Sequence, residues 1–252
     1  MSLVIKSPCK VNLLLNVLGR REDGFHEIES IMQPVPIYDE LHIERAGSGV
    51  ELTCSNPRLS VGVDNLVHRA ATEFLKLAKF GGVRIHLVKN LPLAAGIGAG
   101  SSNAAMTLRG LNELNNQPLS AGSILELAAK LGSDVPFFLQ DDPALVTGRG
   151  EFVRSLKPFS ALIGSGMLLV HPGFGVNPPW AYQALAKNTE PFGVEGHAER
   201  MINSLGEGRL EGFNNSLEAA VFPKFPVLPL IKEFFFANGA RTSLMSGGGS
   251  TM

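Results

Sequence analysis

Three glycines and two serines between Gly96 and Ser102 form the stretch of this sequence best suited to chemistry. Glycine lets backbone N–H groups come close to an anion, and a helix beginning just beyond adds unpaired N–H groups and positive partial charge. The run Leu91-Pro92-Leu93-Ala94-Ala95-Gly96-Ile97-Gly98-Ala99-Gly100-Ser101-Ser102 therefore reads as a cradle for nucleotide phosphates. Ser101 and Ser102 add hydroxyls, either of which can reach a Mg²⁺ carried by those phosphates. A plain strand-to-helix turn would account for the glycines alone; the serines at the helix start favour the anion site.

Commoner nucleotide motifs do not fit. Position 101 is Ser where a dinucleotide fingerprint needs its last glycine, no Lys follows the loop as a P-loop requires, and protein-kinase signatures are absent. With 22 basic and 23 acidic residues the net charge is -1, so no basic field draws the chain onto nucleic acid. The apolar runs, such as Met167 to Val170 and Phe234 to Ala237, fall far short of the roughly 20 residues a membrane span needs. Cys9 and Cys54 have neither metal-type spacing nor disulfide density, and the N-terminus lacks signal-peptide segments. These features predict a cytoplasmic protein, a monomer or homodimer, with a small-molecule partner.

The elements around the loop follow from periodicity. Val11, Leu13, Leu15 and Val17 alternate as a strand that carries Lys10 and Asn12, and Leu41 to Arg45 and Val50 to Cys54 give two more strand-like runs. Asp64 is positioned to cap a helix beginning near Asn65, which Gly81-Gly82 ends; Val83, Ile85 and Leu87 form the strand that leads to the loop. A helix over Ser123 to Leu131, strands near Ala144 to Thr147 and Met167 to Val170, and helices from Pro178 and near His197 to Leu205 and Leu228 to Asn238 complete the chain. At 252 residues, two modest domains are expected.

Two further segments stand in a telling order with the loop: Ser7-Pro8-Cys9-Lys10-Val11-Asn12-Leu13 ahead of it and Ser243-Leu244-Met245-Ser246-Gly247-Gly248-Gly249-Ser250 behind it. Together the three resemble the motifs of the GHMP kinases, the superfamily of galactokinase, homoserine kinase and mevalonate kinase. Four local signatures, Lys10-Val11-Asn12-Leu13, Asp23-Gly24-Phe25-His26, Gly132-Ser133-Asp134-Val135-Pro136-Phe137-Phe138 and His171-Pro172-Gly173, narrow the resemblance. They are similar to the branch that uses ATP to phosphorylate the 2-hydroxyl of 4-diphosphocytidyl-2-C-methyl-D-erythritol in the non-mevalonate isoprenoid pathway.

The resemblance implies an α+β, two-lobed GHMP kinase fold. A ribosomal-protein-S5-like nucleotide lobe would span residues 1–158 and a ferredoxin-like lobe residues 159–252, with the active site between them. It makes Lys10 and Asp134 the catalytic pair, Asp134 accepting or orienting the substrate hydroxyl proton while Lys10 orients Asp134 and offsets developing charge. ATP would lie against Pro92, Ala94, Ala95, Gly96, Ile97, Gly98, Ala99, Gly100, Ser101 and Ser102, with Asn65, Leu66 and Lys89 near adenine and ribose and Ser102 touching Mg²⁺. Phe25 would stack on cytosine, His26 bond its polar edge, Asn12 approach the reacting hydroxyl, and Gly248 complete the substrate site.

Taken singly, Asp134 also reads as a turn aspartate, Lys10 as a solvated strand lysine, Lys89 as an exposed strand-end charge, and Phe25 as a loop anchor. Relatives often carry Tyr at the Phe25 position and Thr where Asn177-Pro178-Pro179 stands, and they continue beyond the third motif, whereas this sequence stops at Met252. Three rivals compete with this reading. They are another GHMP kinase acting on a sugar, homoserine or mevalonate-type alcohol, a catalytically silent ligand sensor on the same fold, and an RNA-binding module. Gly24-Phe25-His26 and His171-Pro172-Gly173 weigh against the first, retention of both Lys10 and Asp134 against the second, and the missing basic stripe against the third.

Overall fold

A computed structural model describes residues 2–187 and 193–252. Helices and sheet are mixed along the chain, as the α+β expectation requires. The chain forms two compact units: Met1–Cys9, Val35–Leu93 and Gly98–Asp141 make up the first, and Lys10–Pro34, Ala94–Ile97 and Asp142–Met252 the second. The units interleave in sequence, whereas linear reading offers one boundary near residue 158. Two long strands, β1 (Ser2–Arg20) and β2 (His26–Ala46), each contribute residues to both units.

In the first unit, β3 (Gly49–Cys54) runs parallel to β4 (Gly82–Val88), and β4 pairs antiparallel with residues 40–46 of β2. The alternating Val83, Ile85 and Leu87 are all buried, as their period of two requires. Helix α1 (Leu66–Ala78) packs on β3 and on α2 (Ala99–Leu114) and α3 (Ala121–Leu131), presenting Val67, Ala70, Ala71, Phe74 and Leu75 to the core. A single 3₁₀ turn, Pro136–Leu139, buries Phe137 and Phe138 edge to face.

The start of α1 differs by one residue from the expectation. Asn65, not Asp64, is the cap: its side-chain oxygen accepts the N–H of Val67 at 2.8 Å. Asp64 instead accepts the hydroxyl of Ser60 at 2.6 Å. Both residue types cap equally well, so the turn Ser60–Asp64 decides which side chain is left to face the helix.

In the second unit, residues 28–32 of β2 pair antiparallel with β5 (Ala144–Gly148), which continues into β6 (Phe152–Ser155). Residues 14 and 15 of β1 run parallel to the two-residue β7 (Asn214–Asn215). Helix α4 (Pro178–Leu185) begins on the two prolines, and α5 (His197–Gly206), α6 (Glu218–Val221) and α7 (Val227–Ala237) follow. Leu15, Val17, Ile28, Val176, Ala181, Leu217, Leu228 and Met245 share one core.

Met167–Val170 is not a strand. Val170 exchanges two backbone hydrogen bonds with Met252, at 2.9 and 3.0 Å, but the pairing extends no further, and one reciprocal pair does not make a ladder. Among the described residues no helix is long and apolar enough to cross a membrane.

Candidate active site

The second unit gathers Lys10, the apex of the glycine loop and the Ser246–Gly249 segment around one carbonyl. The Lys10 ammonium, on a side chain that is all but buried, donates to the Gly96 oxygen at 3.1 Å and to Asn12 Oδ1 at 2.5 Å. The Ser246 hydroxyl donates to the same Gly96 oxygen at 3.0 Å. Backbone bonds fasten the loop on either side, from Lys10 N–H to Ile97 O at 2.9 Å and from Thr251 N–H to Ala95 O at 3.2 Å. A buried ammonium beside the glycine loop places positive charge where a phosphoryl-transfer site needs it.

Side chains on β1 and β2 fix the direction of Asn12. Its amide nitrogen donates to Ser30 Oγ at 2.8 Å, and Ser30 in turn donates to Leu14 O at 2.6 Å, which leaves the Asn12 oxygen for Lys10. The glycines permit the close backbone approach. Gly96 has φ +77°, and a Cβ there would lie 2.1 Å from Ser246 O. Gly247 has φ +55°, and its Cβ would lie 2.7 Å from Gly96 O. Neither position has room for a side chain, and both use a backbone region that glycine enters freely. Asn215 secures the far side by donating to the carbonyls of Met245 and Gly247 at 2.7 and 2.8 Å.

Gly248 is buried beside the start of α4: a Cβ there would stand 3.4 Å from Pro178 Cα, and Asn177 caps the helix through Trp180 N–H. Phe25 and His26 follow a tight turn, in which Arg21 N–H donates to Phe25 O and Phe25 N–H to Asp23 Oδ1. Phe25 is about half exposed at 49%, with the Arg149 guanidinium 4.9 Å from its ring centre. His26 lies against Tyr182, ring centres 5.1 Å apart and tilted by 30°. Burial, and then the charge of Arg20, hold the His26 imidazole below its ordinary range, so it is neutral at pH 7. An exposed aromatic face next to a neutral imidazole suits a planar, polar-edged ring.

In the first unit, α2 follows Gly98, φ +70°, a cap residue that makes no side-chain hydrogen bond to the helix N-terminus, the end of a helix that favours an anion. Ser101 is half-exposed in that first turn. Ser102 is fully buried, its Oγ 2.8 Å from Ser7 Oγ, and Ser7 also donates to Asn103 Oδ1 at 2.7 Å. Leu66 borders this turn: a Cβ on Gly100 would lie 3.7 Å from Leu66 Cδ1. Asn65 spends its amide on the helix cap and on Ser60 O. Lys89 is not an exposed strand-end charge: its ammonium pairs with Asp39 at 2.6 Å, and both side chains are buried. Asp134 stands half-buried in the turn between α3 and the Pro136–Leu139 segment.

Sequence reading missed four polar residues: Asp39, Ser30, Asn215 and the hydrogen-bonding role of Ser246. Each works through partners far along the chain and carries no local motif. Asp39 in particular stands between Tyr38 and Glu40, where nothing in the sequence marks it as buried.

Several known proteins are similar to this chain. Residues 65–142 match the GHMP kinases N terminal domain. The 4-diphosphocytidyl-2-C-methyl-D-erythritol kinase of Citrifermentans bemidjiense is 40% identical over 99% of this chain and 88% of its own length. The enzyme of the same name from Pelobacter propionicus is 38% identical over 100% of this chain and 88% of its own. A crystal structure of 4-(cytidine 5'-diphospho)-2C-methyl-D-erythritol kinase superposes with a TM-score of 0.82 at 36% identity, covering 99% of this chain and 88% of that one. A homoserine kinase from Cytophaga hutchinsonii, 18% identical with a TM-score of 0.72 over 99% of this chain and 83% of its own, shares the fold.

Proposed function

Since the chain belongs to the GHMP kinases, and among them to the 4-diphosphocytidyl-2-C-methyl-D-erythritol kinase family, we propose that it transfers the γ-phosphoryl group of ATP to the 2-hydroxyl of 4-diphosphocytidyl-2-C-methyl-D-erythritol. The observation that carries this reading is identity of 40% over 99% of the chain, which includes the loop, the Lys10 segment and the Phe25-His26 turn.

In the proposed reaction the alcohol oxygen forms a bond to the γ-phosphorus while the bond from phosphorus to the bridging oxygen of ADP breaks. The hydroxyl proton passes to the Asp134 carboxylate, or is oriented by it, and ADP leaves. Lys10, desolvated and anchored by Asn12 and Gly96, offsets charge on the transferring group without having to reorganise. The N–H groups at the start of α2 face the phosphates. Bound Mg²⁺ supplies further neutralisation and travels with the nucleotide, needing few protein oxygens. Ser101 offers a half-exposed hydroxyl for it, while Ser102 must first give up its contact with Ser7.

For the alcohol, the Phe25 ring offers a stacking face for cytosine and neutral His26 a polar contact to its edge, with Asn12 and Gly248 nearer the reacting end. Adenine falls to Asn65, Leu66 and Lys89, of which Leu66 offers the freest surface. A phosphotransfer assay with paired alcohols, each with and without the cytidine group, tests the reading. Strong preference for the cytidine-bearing alcohol is expected; equal turnover of both members of a pair would replace it with a GHMP kinase of different specificity.

A further inference from the structure

The carboxylate of Asp39 is fully buried in the middle of β2 and accepts four hydrogen bonds. Its Oδ1 receives the backbone N–H groups of Asn90 and Leu91 at 2.7 and 2.8 Å. Its Oδ2 receives the Lys89 ammonium at 2.6 Å and the Asn103 side-chain amide at 3.1 Å. These partners fall into two groups. Lys89, Asn90 and Leu91 are the last residues before the glycine loop, and Asn103 lies in the first turns of the helix that follows it.

We propose that Asp39 is a positioning residue for the nucleotide, setting from within the core the separation of the two ends of the glycine loop and the place of Lys89. Stability alone is a poor reason to bury such a group, because an isolated buried ion pair is often no better than apolar residues of the same volume. Fixing geometry is a better one. A loop whose ends are already pinned loses less conformational freedom when it closes on phosphates, and that saving appears as affinity. The link continues through Asn103 Oδ1 to Ser7, whose hydroxyl lies beside Ser102, so the serine end of the loop is tied into the same chain of bonds.

The chemistry makes Asp39→Asn a sharp test. All four partners are donors, so an amide in this place always points its own N–H groups at two of them, whichever way it is turned. The variant keeps the shape and loses the positioning. This inference rests on the reading of Gly96 to Ser102 as the ATP loop, so Gly98→Val, which alters the loop directly, runs alongside as a control.

The experiment titrates a non-hydrolysable ATP analogue and, separately, the cytidine-bearing alcohol into each folded protein, with KM and kcat measured for both substrates. Asp39→Asn is expected to weaken the analogue and raise the KM for ATP by about tenfold or more, leaving alcohol affinity within twofold; a purely structural role would lower the active fraction and change neither constant. If Gly98→Val weakens the analogue and Asp39→Asn does not, the positioning role is wrong and the loop assignment stands. If neither change affects the analogue, the loop assignment falls and the role of Asp39 with it. Should Asp39→Asn fail to fold, Asn103→Ala cuts only the tie to α2 and keeps the Lys89 pair. It is expected to weaken the analogue severalfold with alcohol affinity unchanged, and unaltered analogue affinity would overturn the proposal.

Discussion

The Lys10 ammonium and the Gly96 carbonyl oxygen are 3.1 Å apart, although 86 positions separate them in sequence. The cation on β1 and the apex of the glycine loop are thus held as one group, and the Ser246 hydroxyl shares the same oxygen. Charge and cradle cannot drift apart without breaking a hydrogen bond of the buried Lys10 ammonium, which is costly in a largely desolvated setting.

Replacing Lys10 by Ala or Asp134 by Asn should each lower kcat by roughly 10² to 10⁴, the usual scale for losing a general base or a fixed counter-charge. The double variant should be little worse than either single one, because groups that act on one transition state are not additive. Single-turnover rates of all four proteins measure this. Multiplying defects would show that the two act independently.

Gly96→Ala introduces a Cβ 2.1 Å from Ser246 O at a backbone angle of +77°. The strain alone costs on the order of 1 to 3 kcal/mol, and relief of the clash has to displace the Ser246–Gly249 segment. Denaturant unfolding should show the loss of stability, and ATP affinity should fall with it; unchanged values of both would mean that the contact between the two glycine segments is soft.

Phe25→Ala should remove a stacking face worth about 1 to 3 kcal/mol, by analogy with bases stacked on aromatic side chains. The preference for the cytidine-bearing alcohol over its bare counterpart should shrink, chiefly through a higher KM for the former. Phe25→Tyr keeps the ring and should be nearly neutral. A ratio that does not move in the Ala variant would place cytosine elsewhere.

His26 is held below its ordinary range by burial and then by Arg20, so the folded state binds its proton less readily than the unfolded chain does. Stability linked to His26 is therefore intact above about pH 6.5, the unfolded value, and is lost as pH falls from there through the lower folded value. Wild type should lose more stability between pH 7 and pH 5 than His26→Gln. Parallel stability curves for the two proteins would show that His26 titrates as it does in the unfolded chain.

Much of this was legible in advance where the signal is local. Val83, Ile85 and Leu87 announced β4 by alternation, Pro178-Pro179 announced α4, and the glycines with Ser101 and Ser102 announced the start of α2. The cap of α1 was missed by one residue because Asp64 and Asn65 are equally able caps, and the Ser60–Asp64 bond that separates them lies outside the helix. Met167–Val170 has strand composition, but composition does not supply a partner. Asp39 was invisible for a different reason. Its partners lie 50 to 64 positions away, and between Tyr38 and Glu40 it looks like one more surface charge.

The contact between Gly96 and Ser246 spans 150 positions, and it has a consequence for the order in which the protein matures. During synthesis the loop, its helix and Lys10 leave the ribosome long before residues 245–251 exist. Until they emerge, the Gly96 carbonyl lacks its Ser246 hydroxyl, and Ala95 lacks the Thr251 N–H. Bringing such distant segments together is entropically slow. A nascent chain therefore carries the phosphate cradle in an unfinished form, and competence for ATP should arrive late and abruptly, once the Ser243–Ser250 motif has emerged.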